Sequence, residues 1–173
     1  SHDIYKYPAV LKLLTSKVTN DRTRQIAKLL EPLCLMYLSF QTLTPSVLKN
    51  IRRSEVSDSE IRKNLDFARR NGIATGSALI FCLPGESLKS FKETLDKTFE
   101  YRFDSIALGV LWLLKGSEVA TDKMREQYQY RSKFMLSENA ITYFNGLFSL
   151  EAEEIAISSK NIPFEDWKTG LQY

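Results

Sequence analysis

The sequence predicts an α/β fold: about four parallel strands joined by helices, then a C-terminal β-hairpin and a short helix. Three observations carry this expectation. Thr75 to Ser87, running on to Tyr101, reads as strand, tight turn and helix, and the next strand begins near Asp104, so one β-α-β unit closes within a short span. Strand candidates recur at roughly thirty-residue intervals with helices between them, the pattern of right-handed crossovers. The chain has 173 residues with 43% apolar content, enough to bury a full core.

Taken in order, Tyr7 to Thr15 reads as the first strand, with Pro8 at its start where a missing N–H does least harm. Asn20 or Asp21 caps a helix that carries Ile26, Leu29 and Leu30 on one side and stops by Glu31-Pro32. Leu33 to Phe40 is the second strand, and Gln41-Thr42-Leu43 begins the loop after it. Thr44-Pro45 starts a short helix reaching Arg53, with a capping hydroxyl followed by proline in the first turn. Ser57 or Asp58 caps a longer helix with Ile61, Leu65 and Ala68 on its buried face; Gly72 supplies the left-handed residue past its end.

Ala78 to Leu83 is a continuous apolar run of strand length, which suits a strand covered on both faces. Pro84-Gly85 makes the turn, Ser87 is the N-cap, and Leu88, Phe91, Leu95, Thr98 and Phe99 recur at helical spacing. Asp104 to Leu113 is the fourth strand. Thr121 to Phe134 is charged and Tyr-rich and reads as a surface helix. Asn145-Gly146 between apolar stretches signals a type I′ hairpin, Glu154 to Ser159 reads as a further strand, and Pro163 opens a last short helix.

Composition excludes some functions. A formal net charge of +3 with acidic residues interleaved throughout gives no basic patch, so nucleic acid is not an expected partner; Arg52-Arg53 and Arg69-Arg70 are explained by helix ends. No stretch is long and apolar enough for a membrane span, and a soluble, cytoplasmic protein is expected. Cys34 and Cys82 lie in apolar surroundings without metal-type spacing and read as small buried hydrophobes. The single histidine, His2, reads as an expression leftover.

Parallel α/β sheets bind ligands beyond the carboxyl ends of their strands. Those loops hold Ser39, Gln41 and Thr42, then Cys82 to Ser87, then Leu114 to Glu118. Singly, Gln41 is a loop amide and Arg53 a helix-end cation. In combination, Ser39-Phe-Gln41-Thr-Leu-Thr-Pro45-x-Val-Leu-Lys-x-Ile51-Arg-Arg53, Leu79-Ile-x-x-Leu-Pro-Gly-Glu86 and Trp112-Leu-Leu-x-Gly-x-Glu118 resemble the later strands of radical S-adenosylmethionine enzymes, in particular the group with an upstream cobalamin-binding domain. Tyr7-Pro8 and Ser16-Lys-Val-Thr-Asn20 resemble that group's third barrel strand, and Ile155 to Trp167 its C-terminal extension.

The resemblance implies a truncated (β/α) partial barrel over 3–120 and a C-terminal extension over 121–173. It implies a parent enzyme that uses S-adenosylmethionine, a 4Fe-4S cluster and, in that group, cobalamin. Such enzymes form a deoxyadenosyl radical or support methyl transfer. By motif, Gln41 and Arg53 would contact the methionine part of the cofactor, with Ser39 beside them. Ile80, with the backbone from Ala78 to Gly85, would wall the adenine.

Two positions depart from the family pattern. Ala78 stands where relatives carry an acid that accepts from the ribose, and Cys82 stands where they carry a glycine. The two-residue strand period puts Ala78, Ile80 and Cys82 on one face. The Cys-x-x-x-Cys-x-x-Cys loop is absent. The chain alone is therefore expected to hold no cofactor and to be inactive, its partners being the upstream half of the same barrel and a second copy at the free edge of the first strand. The rival expectation is a non-enzymatic scaffold that kept the architecture and lost the site.

Overall fold

The computed structural model describes residues 8–14, 20–31 and 33–173. His2, Tyr7, Thr15 and Ser16 to Thr19 lie outside these, so the expected limits of the first strand are not addressed. Among the described residues the elements are β1 (Leu11–Leu14), α1 (Asp21–Leu29), β2 (Cys34–Gln41), α2 (Pro45–Asn50), α3 (Asp58–Arg70), β3 (Ala74–Phe81), α4 (Leu88–Glu100), β4 (Ser105–Val110), α5 (Asp122–Tyr128), β5 (Arg131–Phe144), β6 (Leu147–Ser158) and α6 (Phe164–Gln172). A four-stranded sheet runs β1-β2-β3-β4, with β1–β2 and β2–β3 parallel, and β5–β6 form a separate antiparallel ribbon. No helix among the described residues is long and apolar enough to cross a membrane.

The chain divides into two compact units interleaved in sequence: residues 1–43, 53–79 and 94–108, and residues 44–52, 80–93 and 109–173. In the first, β2 turns Cys34, Met36, Leu38 and Phe40 into cores shared with Ala27 of α1 and Ile61, Leu65 and Ala68 of α3. The other face of the sheet is more open. There Lys12 of β1 lies over the Tyr37 ring, and Gly76 of β3 leaves room for that ring, which an added Cβ would strike. Capping follows sequence chemistry: Asn20 accepts from Thr23 N at 2.9 Å, Ser57 accepts from Glu60 N at 3.2 Å, and Gly72 takes φ +66.

Several expectations are corrected. In α1, Ile26 and Leu29 face solvent, Leu29 being 83% exposed, while Arg24 and Ala27 are buried. The inner position goes to Arg24 because its charge is satisfied there: it donates to Asn64 Oδ1 at 2.9 Å and pairs with Asp21, while its aliphatic stem packs. Strand β3 begins four residues before Ala78 and ends at Phe81, since Thr75 and Ser77 bury their hydroxyls in bonds to Asp104 Oδ2 and Leu38 O. Phe99 is exposed. Helix α5 stops at Tyr128, where Gln129 turns left-handed (φ 51), so residues 131–134 belong to β5.

In the second unit, the Asn145-Gly146 turn has φ values of 49 and 79, as a type I′ turn requires. The expected separate strand at Glu154 is the continuation of β6. The base of β6 is stitched to the segment after β4 by Leu113 N to Glu154 O (2.8 Å) and Ala156 N to Leu111 O (2.9 Å). Phe81 stacks on Phe91 at 4.2 Å between ring centroids, and Gly170 of α6 lies against Phe81 so closely that a Cβ would overlap its ring. Thr44 is the N-cap of α2, but its hydroxyl makes no capping bond and donates to Ser90 O at 3.4 Å.

Candidate cofactor-binding strand ends

The expected site residues fall in both units, and each set is described by itself. In the first unit, the β2–β3 register shifts between Leu38 and Gln41, which face Ser77 and Leu79. Ser39 and Phe40 together therefore oppose Ala78 alone, a bulge of the kind that re-aims side chains at strand ends. Phe40 goes into the core against Tyr101 and Phe103, while Ser39, Gln41 and Ala78 remain half-buried. Gln41 has φ 66, uncommon for a residue with a Cβ. Neither the Ser39 hydroxyl nor the Gln41 amide has a partner among the described residues. Arg53 is exposed in the loop after α2, likewise without an ion pair there.

In the second unit, the chain leaves β3 through a tightly held turn. Cys82 has φ 71 and Gly85 φ 83; a side chain at Gly85 would strike Asn50. Glu86 is fully buried and folds back, its Oε2 accepting from Cys82 N (2.8 Å) and Leu83 N (3.2 Å). Asn50 of α2 donates to Pro84 O at 2.8 Å, and Tyr130 donates to Cys82 O at 3.4 Å. The turn is thus gripped from α2, from the start of β5 and from within.

Burial dominates the electrostatics of this turn. It raises the Glu86 carboxyl to about 8, although the two backbone N–H groups favour its ionised form, so Glu86 is mostly neutral at pH 7. Burial, with Glu86 nearby, pushes the Cys82 thiol to about 12; its hydrogen bond with Ser159 opposes this. Cys82 is an inert, buried thiol.

Strand alternation leaves Ala78 and Ile80 half-buried between the buried Ser77, Leu79 and Phe81. It does not extend to Cys82, which is past the strand end, left-handed and fully buried. The expected common face therefore holds Ala78 and Ile80 without Cys82. Glu86 lay in the Cys82 to Ser87 loop that the sequence marked by position, without a role of its own, and Asn50 and Tyr130 were not singled out. Leu-Pro-Gly-Glu showed the turn, but the inward fold of Glu86 depends on burial that no local pattern encodes.

The Radical SAM superfamily profile matches residues 9–98, just over half of the chain. The chain belongs to the radical SAM superfamily. A search of the curated proteins returns no match. Among solved structures, the radical S-adenosylmethionine methyltransferase TsrM from Kitasatospora setae, with tryptophan substrate and the analogue aza-SAM bound, is similar at a TM-score of 0.61 and 14% identity over 94% of this chain. The same enzyme with cobalamin and a [4Fe-4S] cluster bound aligns over 58% of this chain and 18% of its own, with a TM-score of 0.48 and 16% identity. The chain spans about a third (35%) of the length of the first of these. The fold of this chain is thus shared with that enzyme over most of its length.

A family member of this kind implies S-adenosylmethionine and an iron-sulfur cluster. Cys34 and Cys82 are both buried with raised thiol pKa values, and among the described residues no three Cys, His, Asp or Glu side chains gather to hold a metal. These residues do not fit a cluster, and no step through one is assigned to them. Within the first unit, the half-buried Gln41 offers an amide donor and acceptor without a partner among the described residues.

Proposed function

We propose that this chain is the later part of a radical SAM barrel whose β2 and β3 ends contact S-adenosylmethionine in a longer parent enzyme. The observation that carries the reading is the end of β2: a bulge followed by Gln41 in a left-handed conformation, with Ser39 and Gln41 side chains unengaged. In this reading Gln41, Ser39 and Arg53 hold the amino-acid part of the cofactor. The guanidinium grips the carboxylate and the amide both donates and accepts. Ile80 and the backbone from Ala78 to Gly85 wall the adenine, with Cys82 N–H and Leu83 N–H already committed to Glu86. Bound there, S-adenosylmethionine would supply a methyl group or, given one electron from a cluster held by other parts of the parent, a deoxyadenosyl radical.

Cobalamin-assisted methyl transfer is the reaction class we favour, on the strength of the Ile155–Trp167 run and the motifs before it. The parent would act in the reducing cytoplasm, a reading supported by two free buried thiols. Its upstream half would pair along β1, which among the described residues has a strand neighbour on one side only. Exposed Val10, Ile26 and Leu29 support a covering partner there, with a second copy as the other occupant of that edge.

The test is S-adenosylmethionine affinity of the reconstituted full-length parent. Gln41→Ala and Arg53→Ala should each weaken binding by about tenfold, the loss of one charge-assisted contact. Unchanged affinity in both would overturn the assignment. A scaffold that has lost the site is the second reading, favoured by the missing acceptor at Ala78. If no cofactor binds the parent, and Ala78→Asp does not restore binding, the scaffold reading stands.

A further inference from the structure

The β5–β6 ribbon exposes apolar side chains on both faces, and one face carries twice as many as the other. Its pairs are Phe134↔Glu154, Leu136↔Ala152, Ile141↔Leu150 and Tyr143↔Phe148, with Thr142↔Ser149 lying between the last two. Because β6 side chains alternate, Phe148, Leu150, Ala152 and Glu154 point one way together with their partners; Leu147, Ser149, Glu151 and Glu153 point the other way with Phe144, Thr142 and Met135. The first face carries Phe134, Leu136, Ile141, Tyr143, Phe148 and Leu150, each between 54% and 75% exposed. Applied to aromatic side chains of ~150–250 Å² and somewhat smaller aliphatic ones, these exposures leave roughly 700 Å² of apolar surface. The largest patch of an ordinary monomer is ~300–600 Å², and a standard interface takes ~800 Å² from each partner.

The ribbon needs this cover. Its base is anchored through Leu113 and Leu111, but residues 141–150 are exposed on both faces, and an isolated two-stranded hairpin is marginal in water. We propose that this face packs against the same face of a second copy, forming a two-layer dimer.

Three features favour a copy of itself as the occupant. The available area is that of a standard interface. The single carboxylate among these facing pairs, Glu154, is already bound by Arg125 through two 2.7 Å contacts and by Ser132, so like can meet like without burying a bare charge. Finally, the face has bulky Tyr143 and Phe148 at its tip and the small Ala152 nearer its base, an uneven relief that a two-fold partner can match by setting large side chains over small ones.

Sedimentation equilibrium of the chain tests this, with hydrogen exchange of residues 141–150 at low and high concentration. The wild type should be dimeric at micromolar concentration, and those amides should exchange more slowly as the dimer fills. Leu150→Lys and Phe148→Lys should each weaken the dimer about 100-fold, while Ser149→Lys on the opposite face leaves it unchanged. Far-UV circular dichroism establishes that the variants are folded. Three results would overturn the proposal: a wild-type monomer at about 100 µM, a dimer indifferent to Leu150→Lys and Phe148→Lys, or protection of 141–150 in a monomer. The last would mean that the same polypeptide covers the face.

Discussion

Glu86 shows how much one residue can organise without touching solvent. Its carboxyl holds two backbone N–H groups of a turn containing a left-handed cysteine, and burial raises it to about 8 from an ordinary value of 4.5. A raised carboxyl pKa means that the native state holds the proton more tightly than the unfolded chain. Its contribution is therefore full below 4.5, falls as pH rises from 4.5 to 8, and is flat beyond, with a span on the order of 5 kcal/mol at most. Denaturant melts across this range should show that fall in the wild type, and Glu86→Gln should flatten it; an unchanged slope in the variant would contradict the assignment. Glu86→Ala, which orphans both N–H groups, should cost about 3 kcal/mol in the same melts. At this scale the sequence was only partly legible. It identified Ser39 and Gln41 as strand-end positions, yet the left-handed Cys82 and the inward fold of Glu86 arise from tertiary packing.

At the scale of elements, caps and turns were the most readable features, because their chemistry is local. Ser57, Gly72 and Asn145-Gly146 were each legible as a cap or turn residue. Faces and strand limits were less so. Ile26 and Leu29 looked like the inner stripe of α1, but a satisfied Arg24 took that place, and β3 extended back through polar Thr75 and Ser77 because both found partners. Gly76→Ala tests the strand packing directly. Its methyl would meet the Tyr37 ring, so a loss of about 1–3 kcal/mol in thermal or chemical melts is expected. Helix α5 is tied to the ribbon by Arg125 and Glu154, and Arg125 with Ser132 lowers the Glu154 carboxyl to about 2. A depressed carboxyl stabilises above 4.5 and loses that contribution as pH falls towards 2. Arg125→Ala should therefore reduce the acid sensitivity of unfolding between pH 5 and 2 and cost about 2 kcal/mol at neutral pH. Equal acid sensitivity in variant and wild type would count against the pair.

For the whole molecule, the parallel β-α progression and the C-terminal ribbon were both legible in the sequence, because strand, turn and helix signals alternate at regular spacing. What was not legible is the division into two interleaved compact units, which cuts through β3, β4 and α4 and leaves no trace in local composition. The most direct measurement is anaerobic reconstitution of the full-length parent with iron and sulfide, followed by electron paramagnetic resonance with and without S-adenosylmethionine. A reducible cluster whose signal shifts on adding S-adenosylmethionine is the result expected of a parent whose β2 and β3 ends contact the cofactor. A cluster that never forms, or one whose signal ignores S-adenosylmethionine, would contradict that reading and leave the barrel as a scaffold.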